Sequence, residues 1–187
     1  MQTKTYPTKK DTYIIMKKTR NMTRIALFTA VIAVCSSISI PLPSGMPLTL
    51  QTFAAALAGF VLGWKHAAAS VSVYLMLGAV GIPVFSGFTG GFARLFGLTG
   101  GYLWGFLLLA AFCGAAPLTS KGRCAFLSLL GLLLCHSIGA LQFALAAQTT
   151  PLTAFLTASA PYLIKDVLSL LGAYGMASAL KRAWKIR

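Results

Sequence analysis

Long apolar runs, separated by short polar or proline- and glycine-rich breaks, are the dominant pattern along this chain of 187 residues. A transmembrane helix needs about 20 residues to cross about 30 Å of hydrocarbon, and no charged residue occurs between Arg24 and Lys65. Prolines and a glycine within 41–47 divide that stretch into two arms joined by a tight turn. The pattern predicts six helices, at about 25–41, 49–63, 67–82, 102–117, 124–147 and 152–180.

Composition agrees with a membrane protein. Hydrophobic residues make up 57% of the chain and charged residues only 10%, which is too little charge for the wetted surface of a soluble domain of this length. The formal net charge is +14. The basic residues stand in short clusters between apolar runs, with no basic stripe interleaved with aromatics, so we expect no nucleic-acid binding and attribute the charge to orientation in the membrane and contact with anionic lipid.

The positions of the basic residues predict the sidedness of the helices. If the N-terminus is cytoplasmic, fourteen lysines and arginines fall in inside segments and Arg94 alone falls in an outside loop, as the positive-inside rule requires. We therefore predict an all-α, six-helix transmembrane bundle in the cell membrane, with both termini cytoplasmic. A basic tail at 1–23 and another at 182–187 flank the transmembrane domain at 24–181. The N-terminal tail resembles the start of a signal peptide, but no cleavage site follows it.

Residues 83–101 interrupt the helical pattern with many glycines and aromatics, Phe85 among them, and Tyr102 follows directly. Irregular backbone at membrane depth is tolerated where it is buried in protein or lines a cavity, so this segment is expected to be a lid over an outward-facing cavity; a simple connector is the alternative. Ala26 and Ala30 lie four apart on the first helix, a spacing that lets another helix approach closely, whether from a partner or within the bundle.

Asp166 is the only acidic residue after residue 11 and lies near the middle of the last predicted helix, where a charge is costly and usually functional. Tyr162 and Ser169 stand four before and three after it, on the same helical face. Lys165 precedes it, about 100° around the helix. The group could accept hydrogen bonds from a ligand's N–H groups; alternatively, Lys165 neutralises Asp166 or the acid is protonated.

Arg94 is a candidate partner for an anionic solute, because a guanidinium grips a carboxylate with two hydrogen bonds; it could also be a solvated loop charge. Gln51 opens the second helix and either enters the same cavity or caps the helix. His136 lies within the apolar fifth helix without an acidic partner at ligand spacing, so no metal site is expected there. No HExxH, GxSxG or Walker A motif occurs, so no enzyme, catalytic residue, cofactor or ATPase activity is expected in this chain.

Three segments resemble a known family. Residues 47–52, 74–85 and 97–106 read PLTLQT, YLMLGAVGIPVF and GLTGGYLWGF. In this order and spacing they are similar to the BioY family, the biotin-specific S components of energy-coupling factor (ECF) transporters. The resemblance covers about 24–181. Leu98 stands where the family commonly has a proline.

The resemblance implies a six-helix bundle that binds biotin with high affinity from outside. It also implies docking on a transmembrane coupling (T) component carried by two cytoplasmic ATPases, with toppling of the whole subunit at release. Ala26 and Ala30 match the family's small-residue docking motif. Asp166 matches an acid in its last helix, Ser169 occupies the position of a binding lysine three residues later, and Arg94 corresponds to an arginine in its third loop.

Together these features predict a biotin uptake subunit. Asp166 would accept the ureido N–H groups, aromatic and aliphatic side chains would hold the apolar bicycle and tail, and Arg94 would bind the carboxylate. Within transport, the alternative is an S component for another small vitamin or for a precursor such as dethiobiotin, because of Ser169. Outside transport, the alternative is a membrane scaffold that only binds a partner helix. An intramembrane enzyme is a third class, and the absence of any paired acid–base or metal constellation argues against it.

Overall fold

The computed structural model describes residues 8–41 and 47–185, and in these ranges the chain is almost entirely helical, as predicted. The seven α-helices are α1 (Lys9–Ser37), α2 (Gln51–Leu62), α3 (Trp64–Ala79), α4 (Gly100–Ala115), α5 (Lys121–Ala146), α6 (Pro151–Ala158) and α7 (Ala160–Lys185). A short 3₁₀ helix spans Phe92–Leu95. Two strands, β1 (Ser39–Ile40) and β2 (Leu48–Thr49), pair antiparallel between α1 and α2.

The first helix begins well before its predicted start at about 25. Helix α1 starts at Lys9 and runs through the basic segment that was predicted to be a tail. Hydropathy marks where a helix can enter an apolar environment, whereas lysine, arginine and methionine are good helix formers in water too. The boundary drawn from hydropathy therefore missed the polar half of the helix.

The helix predicted at 152–180 is two helices. Helix α6 ends at Ala158 and α7 begins at Ala160, so Ser159 separates them. Tyr102 on α4 donates its hydroxyl proton to the carbonyl of Ala158 at 2.9 Å, and its oxygen lies 2.7 Å from the hydroxyl of Ser159. A side chain from another helix thus satisfies polar groups at the break, and hydrophobic periodicity along one helix cannot reveal that.

Helix α4 lies at the centre and packs against α2, α3 and α5. Glycines allow α4 and α5 to approach closely. A Cβ added to Gly105 would lie 2.7 Å from the sulfur of Cys135, and one added to Gly139 would lie 2.4 Å from the ring of Tyr102. Small residues at helix contacts are typical of membrane bundles, where close packing replaces the hydrophobic effect as the source of association.

The outside of the bundle carries many large apolar side chains. Among the most exposed are Val34 on α1, Met76 on α3, Leu145 on α5 and Ile164 on α7. Such an extensive apolar surface is expected of a protein solvated by lipid. Within the described residues, Lys121–Ala146 and Ala160–Ala183 are long and apolar enough to cross a membrane, while Gln51–Leu62 and Gly100–Ala115 are apolar but shorter.

Candidate functional site

A cavity of about 130 Å³ lies where the segment between α3 and α4 meets α2, α4, α5 and α7. Seven of the eight residues predicted from the sequence to bind substrate line it: Gln51, Phe85, Arg94, Tyr102, Tyr162, Lys165 and Asp166. These seven span more than a hundred positions of the chain. The structure therefore brings the scattered candidates to one place.

Asp166 is the centre of the site and is only 5% exposed. Its Oδ1 forms an ion pair with the ammonium of Lys165, and its Oδ2 lies 3.1 Å from Nε2 of His136. A buried carboxylate is tolerated when it is paired and hydrogen-bonded, and here the partners come from α5 and from α7 itself.

Lys165 reaches the cavity although it is adjacent to Asp166 in sequence. Its ammonium also donates a hydrogen bond to the carbonyl of Thr49 on β2, at 3.1 Å. Consecutive residues leave a helix in different directions, but a lysine stem is long enough to curve along the helix surface and deliver its charge elsewhere. Lys165 therefore joins α7 to the strand pair and contributes a positive charge to the lining.

The sequence offered His136 no acidic partner at ligand spacing, but the structure supplies one from another helix. The imidazole is 2% exposed and Nε2 is bonded to Asp166, thirty residues away in sequence. Its ring also packs edge-on against Tyr102, with centroids 5.8 Å apart and planes at 83°. Spacing within one helix cannot reveal a partner on another helix, so no signal in the sequence marked this pair.

Ser169 is the one predicted substrate-binding residue that does not line the cavity. It is buried in α7, at 9% exposure, one turn beyond Asp166. Tyr162, one turn before Asp166, does line the cavity. The shared helical face of the three residues therefore extends past the end of the cavity.

Tyr74 on α3 contacts both Gln51 and Phe85. Gln51 donates from Nε2 to the Tyr74 hydroxyl at 2.9 Å, and that hydroxyl lies 2.7 Å from the hydroxyl of Ser36 on α1. The ring of Phe85 packs edge-on against Tyr74, with centroids 5.4 Å apart, and fills the space that a side chain at Gly78 would need. Gln51 is thus a cavity residue, as one of its two sequence interpretations proposed.

Arg94 lies in the 3₁₀ helix, is exposed, and lines the cavity. Gln142 on α5 holds this segment in place, because its Nε2 donates to the carbonyls of Leu95 and Gly97, both at 3.0 Å. Trp104 donates from its indole to the same carbonyl of Leu95 at 3.3 Å. The segment is therefore anchored to two helices, and no pattern in the sequence marked Gln142 as its anchor.

Ala26 and Ala30 are both exposed on α1. Val34, one turn further on, is 60% exposed. Side chains that face outward are not explained by packing within the bundle, which was one of the two interpretations of this pair. The two alanines, called the small-residue strip below, are therefore exposed to whatever surrounds the bundle.

The arrangement has a definite chemical character. At one place a buried carboxylate with lone pairs for N–H donors is held by Lys165 and His136, at another a guanidinium can bind an anion, and apolar rings such as Phe85 and Phe106 form part of the wall. Clefts that combine apolar walls with converging polar groups bind small organic molecules. The carboxylate can accept N–H groups of a ligand, and the guanidinium can pair with an anionic group.

Comparisons by sequence and by structure both find proteins named for biotin transport. The model of the BioY family matches residues 4–186. A probable biotin transporter BioY of Pyrococcus horikoshii is 36% identical over 165 residues, which are 88% of this chain and 98% of that protein. The biotin transporter BioY2 of Lactococcus lactis subsp. cremoris is 36% identical over 165 residues, 86% of this chain and 90% of that protein. The fold is similar to the crystal structure of an S-component for biotin from an ECF-type ABC transporter, with a TM-score of 0.79 and 25% identity over 89% of this chain and 93% of that chain.

Proposed function

Since the chain belongs to the BioY family, we propose that it is the high-affinity biotin-binding S component of an ECF-type ABC transporter for biotin uptake. The observation that carries the proposal is the buried carboxylate of Asp166, paired with Lys165 and His136, in a cavity that Arg94 also lines. A charged pair inside an otherwise apolar bundle is costly, so a ligand-binding role accounts for it better than a structural one.

In this proposal the bundle crosses the cell membrane six times, with α6 and α7 acting as one pass and both termini cytoplasmic. The transmembrane domain is 24–181, flanked by the tails at 1–23 and 182–187. The alternation of basic and non-basic segments supports this sidedness, and the exposed apolar side chains support solvation by lipid.

Biotin is held by its two ends. Its ureido N–H groups donate to Asp166, its carboxylate pairs with Arg94, and its bicycle and tail lie against Phe85, Tyr102 and Tyr162. The polar side chains of Gln51 and Lys165 complete the lining. Neither a cofactor nor a metal takes part.

The subunit is not an enzyme in this proposal, and its energy comes from partners. A T component and a pair of cytoplasmic ATPases supply the ATP hydrolysis for which this chain has no motif, and the small-residue strip of Ala26 and Ala30 is the docking surface. The exposure of both alanines supports that role.

The direct test is to purify the full chain in detergent, identify co-purifying small molecules by mass spectrometry, and titrate it with biotin by calorimetry. We expect saturable binding by the wild-type chain. Asp166→Asn should weaken it by about 10- to 100-fold, the range for losing hydrogen bonds to a charged group. Asp11→Asn, which neutralises the only other acid in the sequence, is the matched control and should leave the Kd unchanged.

The outcomes separate the candidate functions. Tighter binding of dethiobiotin or of another vitamin would replace biotin as the substrate. Absence of any bound molecule and of any titratable biotin site would favour a scaffold. Equal Kd values for Asp166→Asn and wild type would remove Asp166 from the site.

A further inference from the structure

The imidazole of His136 contacts the acid of the cavity from a different helix and is not among the groups assigned to biotin above. Nε2 lies 3.1 Å from Oδ2 of Asp166, both side chains are at most 6% exposed, and His136 itself lines the cavity. A carboxylate at this contact is the acceptor, so Nε2 carries the proton and donates it.

We propose that His136 is a positioning residue of the ligand site, which orients the Asp166 carboxylate so that its remaining lone pairs accept the N–H groups of the ligand. This inference rests on the proposed function and adds a residue that determines how tightly the N–H end of the ligand is held. His136 acts through Asp166 and not by carrying charge to the ligand itself.

The geometry of the carboxylate supports this role. Each carboxylate oxygen can accept about two hydrogen bonds. Lys165 takes one position on Oδ1 and His136 takes one on Oδ2, so a position on each oxygen is left for a ligand. With both oxygens tethered, rotation about the bond to the carboxyl group is blocked, and the free lone pairs point in one direction.

The two tethers differ in stiffness. Lys165 has four rotatable bonds and its side chain is 24% exposed, so its ammonium can follow the carboxylate if that group turns. His136 has two rotatable bonds, its side chain is 3% exposed, and its ring is packed edge-on against Tyr102. The stiffer, more buried donor therefore sets the orientation.

The position of His136 is itself rigidly determined. It lies on α5 three residues before Gly139, and the ring of Tyr102 occupies the space beside that glycine. Tyr102 is in turn bonded through its hydroxyl to Ala158 and Ser159 at the break between α6 and α7. The imidazole, the ring that packs against it and the helix that carries Asp166 are thus joined in one buried network, which suits a residue whose task is precise placement.

The test is calorimetric titration of the full-length purified protein with biotin. His136→Leu removes the N–H donor at similar bulk and should raise the Kd by about 10- to 100-fold, the range for loss of a hydrogen bond to a charged group. His136→Gln can place an amide N–H near the position of Nε2 and should recover most of the affinity. Leu132→Ala, one turn away on α5 and equally buried at 3% exposure, removes packing without touching the acid and should change the Kd less than threefold.

A double-mutant cycle separates positioning from a general structural effect. In the Asp166→Asn background the same His136→Leu change should have little further effect on the Kd, because the group that His136 positions has already been altered. Equal losses in both backgrounds would overturn the inference, as would wild-type affinity in His136→Leu or failure of His136→Gln to recover binding. If the wild-type protein bound no biotin, the proposed function would fall and this inference with it, whereas normal wild-type binding with an unaffected His136→Leu variant would remove only the inference.

Discussion

Individual side chains determine how the buried charge of Asp166 is compensated. A lone ionised carboxylate inside an apolar bundle would cost several kcal/mol. The ammonium of Lys165 and the imidazole of His136 offset that cost from two sides. Because Lys165 is adjacent in sequence to Asp166, the neutralising pair was one of the interpretations open from the sequence; its second contact, to the carbonyl of Thr49, was not foreseeable.

Lys165 should matter more to binding than Ser169, although Ser169 occupies the lysine position of the similar family. Lys165→Met should weaken biotin binding by about tenfold or more, because loss of its ion pair leaves the charge of the buried carboxylate without its cationic partner. Ser169→Ala is the matched control on the same helix. It should leave the Kd nearly unchanged, since Ser169 lies outside the cavity lining. Calorimetry on the two variants decides the question, and an equal loss in both would extend the site along α7.

The close packing of helices determines where the residues of the site lie. Helices α4 and α5 approach each other through Gly105 and Gly139, and the space beside Gly139 is filled by the ring of Tyr102. That ring carries the hydroxyl that bonds to Ala158 and Ser159 at the break between α6 and α7. The contact between two helices therefore controls the position of a third, the one that carries Asp166.

Adding one methyl group at this contact should disturb both stability and binding. Gly139→Ala places a Cβ 2.4 Å from the Tyr102 ring, so we expect a loss of roughly 1–3 kcal/mol, typical of overpacking, together with weaker biotin binding. Gly175→Ala on α7 is the control, because nothing lies within 4 Å of the added Cβ there. Thermal unfolding in detergent measures the first effect. If both variants unfolded at the wild-type temperature, the proposed tightness of this contact would be wrong.

At the scale of the whole molecule, the cavity and the small-residue strip on α1 are separate surfaces. Tyr74 connects the cavity lining to α1 through buried hydrogen bonds, one from Gln51 and one with Ser36. Thr29 on α1 also donates to the carbonyl of Ser70 on α3 at 3.0 Å. Helix α1 is thus fixed to the bundle by its inner face, and its outer face stays exposed.

Bulky residues on the outer face of α1 should uncouple transport and spare binding. Trp at both Ala26 and Ala30 would prevent a partner helix from approaching closely, while neither residue lines the cavity. We expect uptake of labelled biotin in cells that supply the T component and ATPases to be lost, and the Kd of the purified subunit to be unchanged. Leu145→Trp, at a position 75% exposed on α5, is the control. Undiminished uptake and complex assembly in the Ala26/Ala30 variant would contradict the docking role.

The sequence alone determined the features that depend on local composition. Apolar runs showed where helices could be buried in lipid, glycine and proline marked the breaks, and the cost of charge in an apolar setting singled out Asp166. Seven residues of one cavity could be predicted from such signals. Polar and charged residues such as Asp166 are informative by their type alone, and Phe85 and Tyr102 were indicated by the irregular segment 83–101 and its end. Hydropathy placed the start of α1 too late, since the polar first half of a helix has no hydropathic signal.

Only the tertiary structure decided which residues meet. His136 and Asp166 are thirty positions apart on different helices, Gln142 bonds to carbonyls more than forty positions away, and the hydroxyl of Tyr102 reaches the break between α6 and α7. Ser169 shares the helical face of Asp166 and yet lies outside the cavity lining. Periodicity describes one helix at a time, whereas a binding site depends on the rotation and spacing of several helices, which small residues such as Gly139 set through packing.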